Sequence, residues 1–386
     1  MRALAIMVLC LCGLCAWAEE VRLGFLGLDP DPRYNADRAY ARVALAPLGD
    51  AVEGARLAVE DMAIITDARG MSVVLDSARA APQALLETAR RLVADGATAL
   101  VLDLPAEQVA EVAEGLGESG PLLLNATAPE DWLRRRCYPR LLHTAASDRM
   151  IADALMQHLI AQKWTKVLML TGKTPRDEAR SAAFRQAAER MRVRVVEERP
   201  FDLSTNPALR EQNNVRLLTG GTRDYDVIFI ADEDGEFSRY VPYRTALPRP
   251  VIGATGLVAL EWHWALERYG APQVNSRFEG ESTGGRRMTW QDWSAWVAVR
   301  AVLTAHAKAR EPGLAGAEAY LRSDRLRLDG SKGVPMNFRP WSGQLRMPIL
   351  LATQNAVIDI APENGFLHAT NTLDTLGQDQ AEFACD

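Results

Sequence analysis

Short, nearly continuous apolar runs recur along the chain and alternate with amphipathic stretches of helical period. The runs predicted to be strands are rich in Val, Ile and Leu: Val21–Gly27, Ser72–Asp76, Ala99–Leu104, Leu122–Asn125, Leu141–His143, Lys166–Leu170, Val193–Glu197, Val227–Ala231 and Val251–Gly253. The predicted helices are Gly49–Asp67, Ala84–Asp95, Ala106–Gly115, Arg149–Gln162, Asp177–Met191 and Asn206–Leu218. Strands without polar alternation are covered by helices on both faces, which is typical of parallel sheets. The pattern therefore predicts an α/β fold with doubly wound parallel sheets.

The number of strands and the length of 386 residues predict two domains, because they exceed one ordinary sheet and one core. We expect one α/β lobe from residues 19–145 and about 286–386, and a second lobe from residues 146–285. A multi-strand hinge joins the two lobes in this division. The returning segment contains a helix that begins near Thr289 and a late apolar run, Met347–Ile360.

Residues 1–18 have the pattern of an export signal, with a charge at Arg2 and an apolar run, Ala3–Leu14. The sequence Ala16-Trp17-Ala18 predicts cleavage after Ala18 and a periplasmic mature chain; an uncleaved membrane anchor is the alternative. Cleavage leaves two cysteines, Cys137 and Cys385. In an exported chain such a pair favours one disulfide, although two buried free thiols also fit the sequence.

The net charge and the sequence motifs argue against several classes of function. A net charge of −6 without a basic block argues against nucleic acid as a partner. The segment Gly115–Gly120 has dinucleotide-binding spacing, but it follows a helix and precedes a strand, so it predicts a turn. Neither metal-ligand spacing nor a nucleophile elbow is found. We therefore expect a monomeric binding protein that is not an enzyme and uses no catalytic cofactor or metal.

Ligands of open α/β sheets bind outside the carboxyl ends of the strands, and polar or aromatic residues follow several of these ends. Cations near the start of a helix favour an anionic ligand, and indoles at a cleft edge can stack on a planar one. The predicted ligand-binding residues are Asn125, Thr127, Trp132, Lys173, Arg176, Asp232, Glu233, Thr255, Trp262 and Trp264. Solvated loops remain the alternative for Lys173 and Arg176. Three further indoles at helical spacing predict a packed face: Trp290, Trp293 and Trp296.

Six segments, in their order along the chain, resemble the type I periplasmic solute-binding proteins of ABC importers, in the branched-chain amino acid-binding class. The segments are Val21–Gly27, Asp50–Glu60, Leu123–Ala128, His143–Arg149, Tyr225–Ala231 and Val251–Gly256. The resemblance implies that a small molecule is captured by hinge closure and that the closed form is recognised by a permease in the inner membrane.

The chain also departs from that class, because the loop Ala254-Thr255-Gly256 lacks the acid that holds a ligand's ammonium group in the amino-acid binders. Three runs resemble the subgroup associated with dehydrogenase systems that depend on pyrroloquinoline quinone (PQQ): residues 210–237, 239–257 and 261–272. This narrower resemblance implies PQQ, a planar tricarboxylate, as the ligand. Alternatives are a binder of an amino acid, an amide or another aromatic acid, a ligand-sensing module and, last, an enzyme.

Overall fold

A computed structural model describes residues 19–34, 47–202 and 213–386. The predicted export signal and the first part of the predicted helix Asn206–Leu218 lie outside these residues. The strands are β1 (Glu19–Leu28), β2 (Met71–Ala80), β3 (Ala99–Asp103), β4 (Leu122–Asn125), β5 (Leu141–His143), β6 (Lys166–Thr171), β7 (Arg194–Pro200), β8 (Val227–Ala231), β9 (Val251–Gly253), β10 (Val258–Leu260), β11 (Leu328–Asp329), β12 (Pro335–Met336), β13 (Ile349–Thr353) and β14 (Ala356–Ala361).

The α-helices separate most of these strands and follow the apolar periodicity of the sequence. They are α1 (Val52–Ala68), α2 (Leu85–Ala94), α3 (Ala106–Leu116), α4 (Asp131–Arg135), α5 (Asp148–Ala161), α6 (Pro175–Met191), α7 (Val215–Leu218), α8 (Ala271–Glu281), α9 (Trp290–Lys308) and α10 (Gly313–Leu321). Within the described ranges, no helix is long and apolar enough to cross a membrane.

The first sheet consists of parallel strands in the order β2-β1-β3-β4-β5. Val101 of β3 lies beside Phe25 of β1 and Leu124 of β4, and all three side chains join the core formed with α1. Leu100 and Leu102 point to the opposite face and pack in a second core with α2 and α3. Both faces of the sheet are therefore buried, which explains why its strands lack polar alternation.

The second sheet is also parallel and has the order β7-β6-β8-β9. Met169 and Phe229 face α6, where Phe229 stacks on Phe184 with ring centroids 3.9 Å apart. Leu168 and Ile228 face the other side and belong to a separate core. Two parallel sheets with helices on both faces confirm the predicted α/β fold class.

The late apolar run forms a hairpin of β13 and β14 that pairs with β10 in an antiparallel sheet. Leu350 lies opposite Leu260 on one side and opposite Ile360 on the other. This sheet packs against α5. Residues that are distant in sequence thus meet beside the segments that connect the two parallel sheets.

The chain leaves the first sheet after β5, and Ser147 caps α5 by accepting a hydrogen bond from the Met150 N–H. It returns before α8, which packs against α1 through an Arg277–Asp61 ion pair of 2.7 Å. The division expected from the sequence placed α8 in the second lobe. Because of these contacts, we propose that the second crossing lies between residues 261 and 270.

Helices α1 and α9 approach each other closely at Gly54. A Cβ atom at this position would lie 2.0 Å from the backbone oxygen of Asp292. Gly54 thus permits α9 to lie against the first lobe, which also brings the residues before α9 to the region between the lobes.

Cys137 and Cys385 form a disulfide. Cys137 directly follows the C-cap of α4, so the bridge fastens this segment to the carboxyl-terminal one. The bridge spans 248 positions, so it restricts a long loop of the unfolded chain. Asp386 reinforces the same connection, because its N–H donates to the Arg135 carbonyl oxygen.

We predict that the double variant Cys137→Ser/Cys385→Ser loses about 2–5 kcal/mol of unfolding free energy, because its unfolded state is no longer cross-linked. Guanidinium titration followed by circular dichroism measures the loss. A reductant should destabilise the wild-type protein and leave the double variant unchanged. Equal stability of oxidised wild type and double variant would contradict the prediction.

Candidate functional site

A cleft of about 600 Å³ lies between the lobes, at the carboxyl ends of strands from both parallel sheets. A recess of about 180 Å³ shares part of its wall, including Pro129, Arg176 and Trp290. The first lobe contributes Arg33, Tyr34, Pro105, Thr127, Ala128, Pro129 and Glu130 to the cleft. The opposite wall contains Arg176, Arg180, Asp232, Glu233 and Ala254. Further lining residues come from β10 and the segment after it, and from the start of α9 and the segment before it: Leu260, Trp262, His263, Trp264, Arg287 and Trp290.

Asp103 organises the wall of the first lobe. Its buried carboxylate accepts hydrogen bonds from the Thr127 hydroxyl at 2.8 Å, the Tyr34 hydroxyl at 2.9 Å and the Arg33 guanidinium at 3.0 Å. Burial and the nearby Asp103 carboxylate raise the pKa of Tyr34. Arg33 also pairs with Asp31, so carboxylates of its own lobe balance its charge. Sequence reasoning missed Arg33 and Tyr34, which belong to a short 3-10 turn without a helical or strand pattern.

Thr127 lines the cleft, but its hydroxyl already donates to Asp103 and accepts from Arg33 at 2.9 Å. Asn125 is fully buried and does not line the cleft. Its Oδ1 accepts the Ala128 N–H at 2.8 Å, while its Nδ2 donates to the Ala128 carbonyl oxygen at 2.7 Å. Asn125 therefore braces the loop after β4, and the structure does not place it where the sequence expectation put it.

Arg176 lines the opposite wall at the start of α6. Both of its terminal nitrogens donate to the Asp148 carboxylate at the start of α5, and Glu130 lies 3.7 Å away. Asp232 and Glu233 also line the cleft. Asp232 accepts the Ser238 N–H at 2.7 Å, and Glu233 pairs with Arg180 at 3.1 Å. Three of the predicted residues thus meet here, with most of their charge already paired.

Lys173 and Trp132 lie outside the cleft. The Lys173 side chain is 62% exposed and pairs with Asp202, because the loop before α6 directs it to solvent. Trp132 lies on α4, packs against the outer core of the first lobe and lines a separate surface groove. Neither residue is placed to contact a ligand between the lobes.

Thr255 lies in the tight turn between β9 and β10 and does not line the cleft, whereas its neighbour Ala254 does. The turn depends on two glycines with positive φ, Gly253 (105°) and Gly256 (74°). A Cβ atom on Gly256 would lie 2.1 Å from the Val251 backbone oxygen. The turn therefore folds back on β9 and directs Ala254, not Thr255, into the cleft.

Trp262 and Trp264 both line the cleft, but in different ways. Trp262 is buried, donates to Asn275 Oδ1 at 3.0 Å and stacks on Trp293 with ring centroids 6.1 Å apart. Trp264 carries the guanidinium of Arg287 3.5 Å above its ring centroid. Trp290 packs against the core that contains Trp293 and Trp296, as expected, and it also lines the cleft.

Arg287 is the exposed cation of this wall. Within the described part of the chain, no carboxylate forms an ion pair with it, and its contact is the face of Trp264. Beside it, His263 accepts the Ala265 N–H at Nδ1, at 3.1 Å. Burial and the Arg287 charge lower the pKa of His263. The ring is therefore neutral near pH 7, with its proton on Nε2, where it can donate a hydrogen bond.

The comparisons with known proteins agree with this architecture. Residues 44–208 match the model of a family described as periplasmic binding protein. A branched-chain amino acid ABC transporter periplasmic ligand-binding protein from Burkholderia xenovorans LB400 has a similar structure (TM-score 0.70, 16% identity). That similarity covers 88% of this chain and 95% of the other. A search of curated proteins found no significant match.

Two further solved structures contain ligands named in their descriptions. A solute-binding protein from R. palustris in complex with benzoate has TM-score 0.61 and 15% identity, covering 86% of this chain and 92% of the other. A substrate-binding protein from Desulfitobacterium hafniense in complex with Leu has TM-score 0.62 and 18% identity, covering 88% and 99%.

The matched family and the similar structures are described as binding proteins of ABC transporters or of the periplasm, which agrees with the class predicted from the sequence. Their similarity extends over both lobes and the segments that connect them. The protein therefore has the two-lobed fold of the type I periplasmic binding proteins, and its residues 44–208 match the sequence model of a periplasmic binding protein family.

Proposed function

We propose that this protein is a periplasmic solute-binding protein of an ABC importer and that it captures a planar aromatic carboxylate, with PQQ as the first candidate. The observation that carries the proposal is Arg287, a cation without a carboxylate partner among the described residues, stacked on Trp264 at the wall of the cleft. An unbalanced guanidinium at a site of this kind attracts a ligand carboxylate.

The size of the cleft supports a ligand with several rings. Its volume of about 600 Å³ lies within the range of about 300–1,000 Å³ typical of small-molecule sites. Indole rings form part of its wall, and flat aromatic surfaces favour planar ligands. The R. palustris protein in complex with benzoate shows that this fold accommodates an aromatic carboxylate.

The charges of the cleft support an anion more than a zwitterion. Arg33, Arg176 and Arg180 each pair with carboxylates of the protein, so they are held in place but largely neutralised. Arg287 remains, and stacking on Trp264 restricts its guanidinium before a ligand arrives. A restricted side chain loses less conformational entropy on binding, which favours affinity. His263 Nε2 adds a neutral donor beside it.

One observation favours a second candidate, an amino acid or amide. Glu130 Oε2 is buried in the cleft wall and has no hydrogen-bond partner among the residues that the structure describes. A buried carboxylate oxygen without a donor is costly, and a ligand ammonium or amide group would satisfy it. The D. hafniense protein in complex with Leu shows that the fold also accommodates an amino acid.

Capture follows from the position of the cleft between the lobes. A ligand that contacts both walls stabilises the closed arrangement over the open one by the difference in contact energy. The closed form would then be recognised by a permease in the inner membrane. If the neighbouring genes encode a receptor in place of a permease, the same closure serves sensing.

We predict that Arg287→Gln weakens PQQ binding about 10- to 100-fold, because one charge-assisted hydrogen bond is lost. Tryptophan fluorescence or calorimetry measures the dissociation constant for PQQ, benzoate and leucine in parallel. Lys173→Ala removes a cation that is exposed and outside the cleft, so it should bind as the wild type does. Unchanged affinity in Arg287→Gln would contradict the role of Arg287.

Glu130→Gln separates the two candidates. If the ligand is an aromatic carboxylate, removing this negative charge leaves its affinity unchanged or improves it. If the ligand is an amino acid, the same change should weaken binding at least tenfold, because the ammonium loses a charged partner. Titration of the variant with PQQ and with leucine distinguishes the outcomes, and loss of PQQ binding alone would contradict the first candidate.

The affinity for PQQ should be constant between pH 6.5 and 8. The pKa of His263 is lowered from its ordinary value of 6.5, so the ring is mostly neutral throughout this window and gains most of its charge below it. Dissociation constants measured at several pH values test this expectation, with His263→Gln as the control. A gain in affinity between pH 8 and 6.5 that disappears in His263→Gln would show that His263 titrates there.

A further inference from the structure

Three metal-ligating side chains meet outside the cleft, where the end of β14 passes α5. His158 lies on α5, Asp359 on β14, and Glu363 two residues after β14 ends. His158 Nδ1 is 2.8 Å from Glu363 Oε1 and 3.9 Å from Asp359 Oδ2. One ligand atom from each of the three lies within 4.8 Å of the others. None of the three side chains lines the cleft.

The two carboxylates of this cluster share one imidazole. In the parts of the chain that the structure describes, His158 is the one basic side chain that pairs with Asp359 or with Glu363. By contrast, buried Asp374 pairs with both Arg339 and Arg346. Two carboxylates that share one imidazole repel each other, and burial strengthens this repulsion. A cation between them would remove it.

The immediate surroundings hold the three groups in position. His158 is 5% exposed, and the edge of its ring meets Trp164 with centroids 6.1 Å apart. The Glu363 N–H donates to Gln157 Oε1 at 3.0 Å, which fixes the segment after β14 against α5. The Asp359 side chain is 41% exposed, so an ion can enter from solvent. The cluster is thus both rigid and accessible.

We propose that His158, Asp359 and Glu363 bind one divalent transition-metal ion, of the class of Zn²⁺ or Mn²⁺. An imidazole nitrogen with two carboxylate oxygens is a donor set that these ions accept, and solvent completes the coordination. The ion would connect α5 to the end of β14, in the region where distant segments of the chain meet. It would stabilise the folded protein without contacting the ligand of the cleft.

The test uses the mature, untagged protein after chelator treatment, titrated with Zn²⁺ and separately with Mn²⁺ in a calorimeter. We expect one bound ion per chain and a rise of several degrees in the midpoint of thermal unfolding, because the ion binds the folded state. Asp359→Asn should weaken the binding at least tenfold. Its partly exposed side chain makes this variant tolerable to the fold, which circular dichroism checks.

Asp379→Asn is the matched control, because Asp379 is the one carboxylate among the described residues that pairs with His368. It should bind the ion as the wild type does. Glu363→Gln supplies a second, independent removal of a ligand. The proposal is overturned if neither ion binds at 100 μM, or if Asp359→Asn and Glu363→Gln bind it as tightly as the wild type. Binding of PQQ or leucine in the cleft is measured on the same samples and is expected to be unaffected.

Discussion

The buried guanidinium of Arg134 holds together the parts of the molecule on which the cleft depends. It donates to the Ala128 and Ala145 carbonyl oxygens at 2.7 and 2.8 Å and to Gln344 Oε1 at 3.1 Å. These contacts join the loop of the first wall to two of the segments that connect the lobes. Burial lowers the pKa of Arg134, and the surrounding carboxylates oppose this shift. Removing this group would take one hydrogen-bond donor from each of these oxygens and break the connection between the segments.

A buried acid extends the hydrogen bonds of Arg134. Glu261 follows β10, and its Oε1 accepts the Ala146 N–H at 2.9 Å, which links the first crossing to the second. Gln344 donates to the Ala145 carbonyl oxygen at 3.0 Å and joins the segment after β12 to the same crossing. These hydrogen bonds connect segments that are distant in sequence, beside the place where the chain leaves the first sheet. Hinge closure concentrates the change in a few residues.

The charges of the cleft are largely balanced within the protein. Most of its cations pair with carboxylates of the protein, which keeps buried charges balanced when the cleft is empty. In the described part of the chain, Arg287 has no carboxylate partner and Glu130 Oε2 has no hydrogen-bond donor, and the two lie at different points of the wall. These unbalanced groups are the ones that can distinguish one ligand from another, because a ligand gains most from polar atoms that the protein has not satisfied.

Sequence reasoning located the strands of the two parallel sheets and most helices of the fold, and it identified loops that form the cleft, but it did not predict β10, β11 or β12. Leu122–Asn125 and Val227–Ala231 coincide with β4 and β8, because a short apolar run between helical patterns has few other solutions. It was less successful with single side chains. Lys173 lies in the loop before α6 and Arg176 in the first turn of α6, yet of these two only Arg176 lines the cleft. Their difference depends on Asp148 and Asp202, which approach from distant parts of the chain.

The sequence by itself determined the α/β layers, since a parallel strand that is buried on both faces is a nearly continuous apolar run. The tertiary structure alone decided which aromatic and charged residues reach the space between the lobes. The sequence predicted Trp132 at the ligand and Trp290 in a packed helix face, but α4 carries Trp132 to an outer surface and the start of α9 carries Trp290 to the cleft. Long-range packing, such as the approach of α9 to α1 at Gly54, sets these positions, and no local pattern records it.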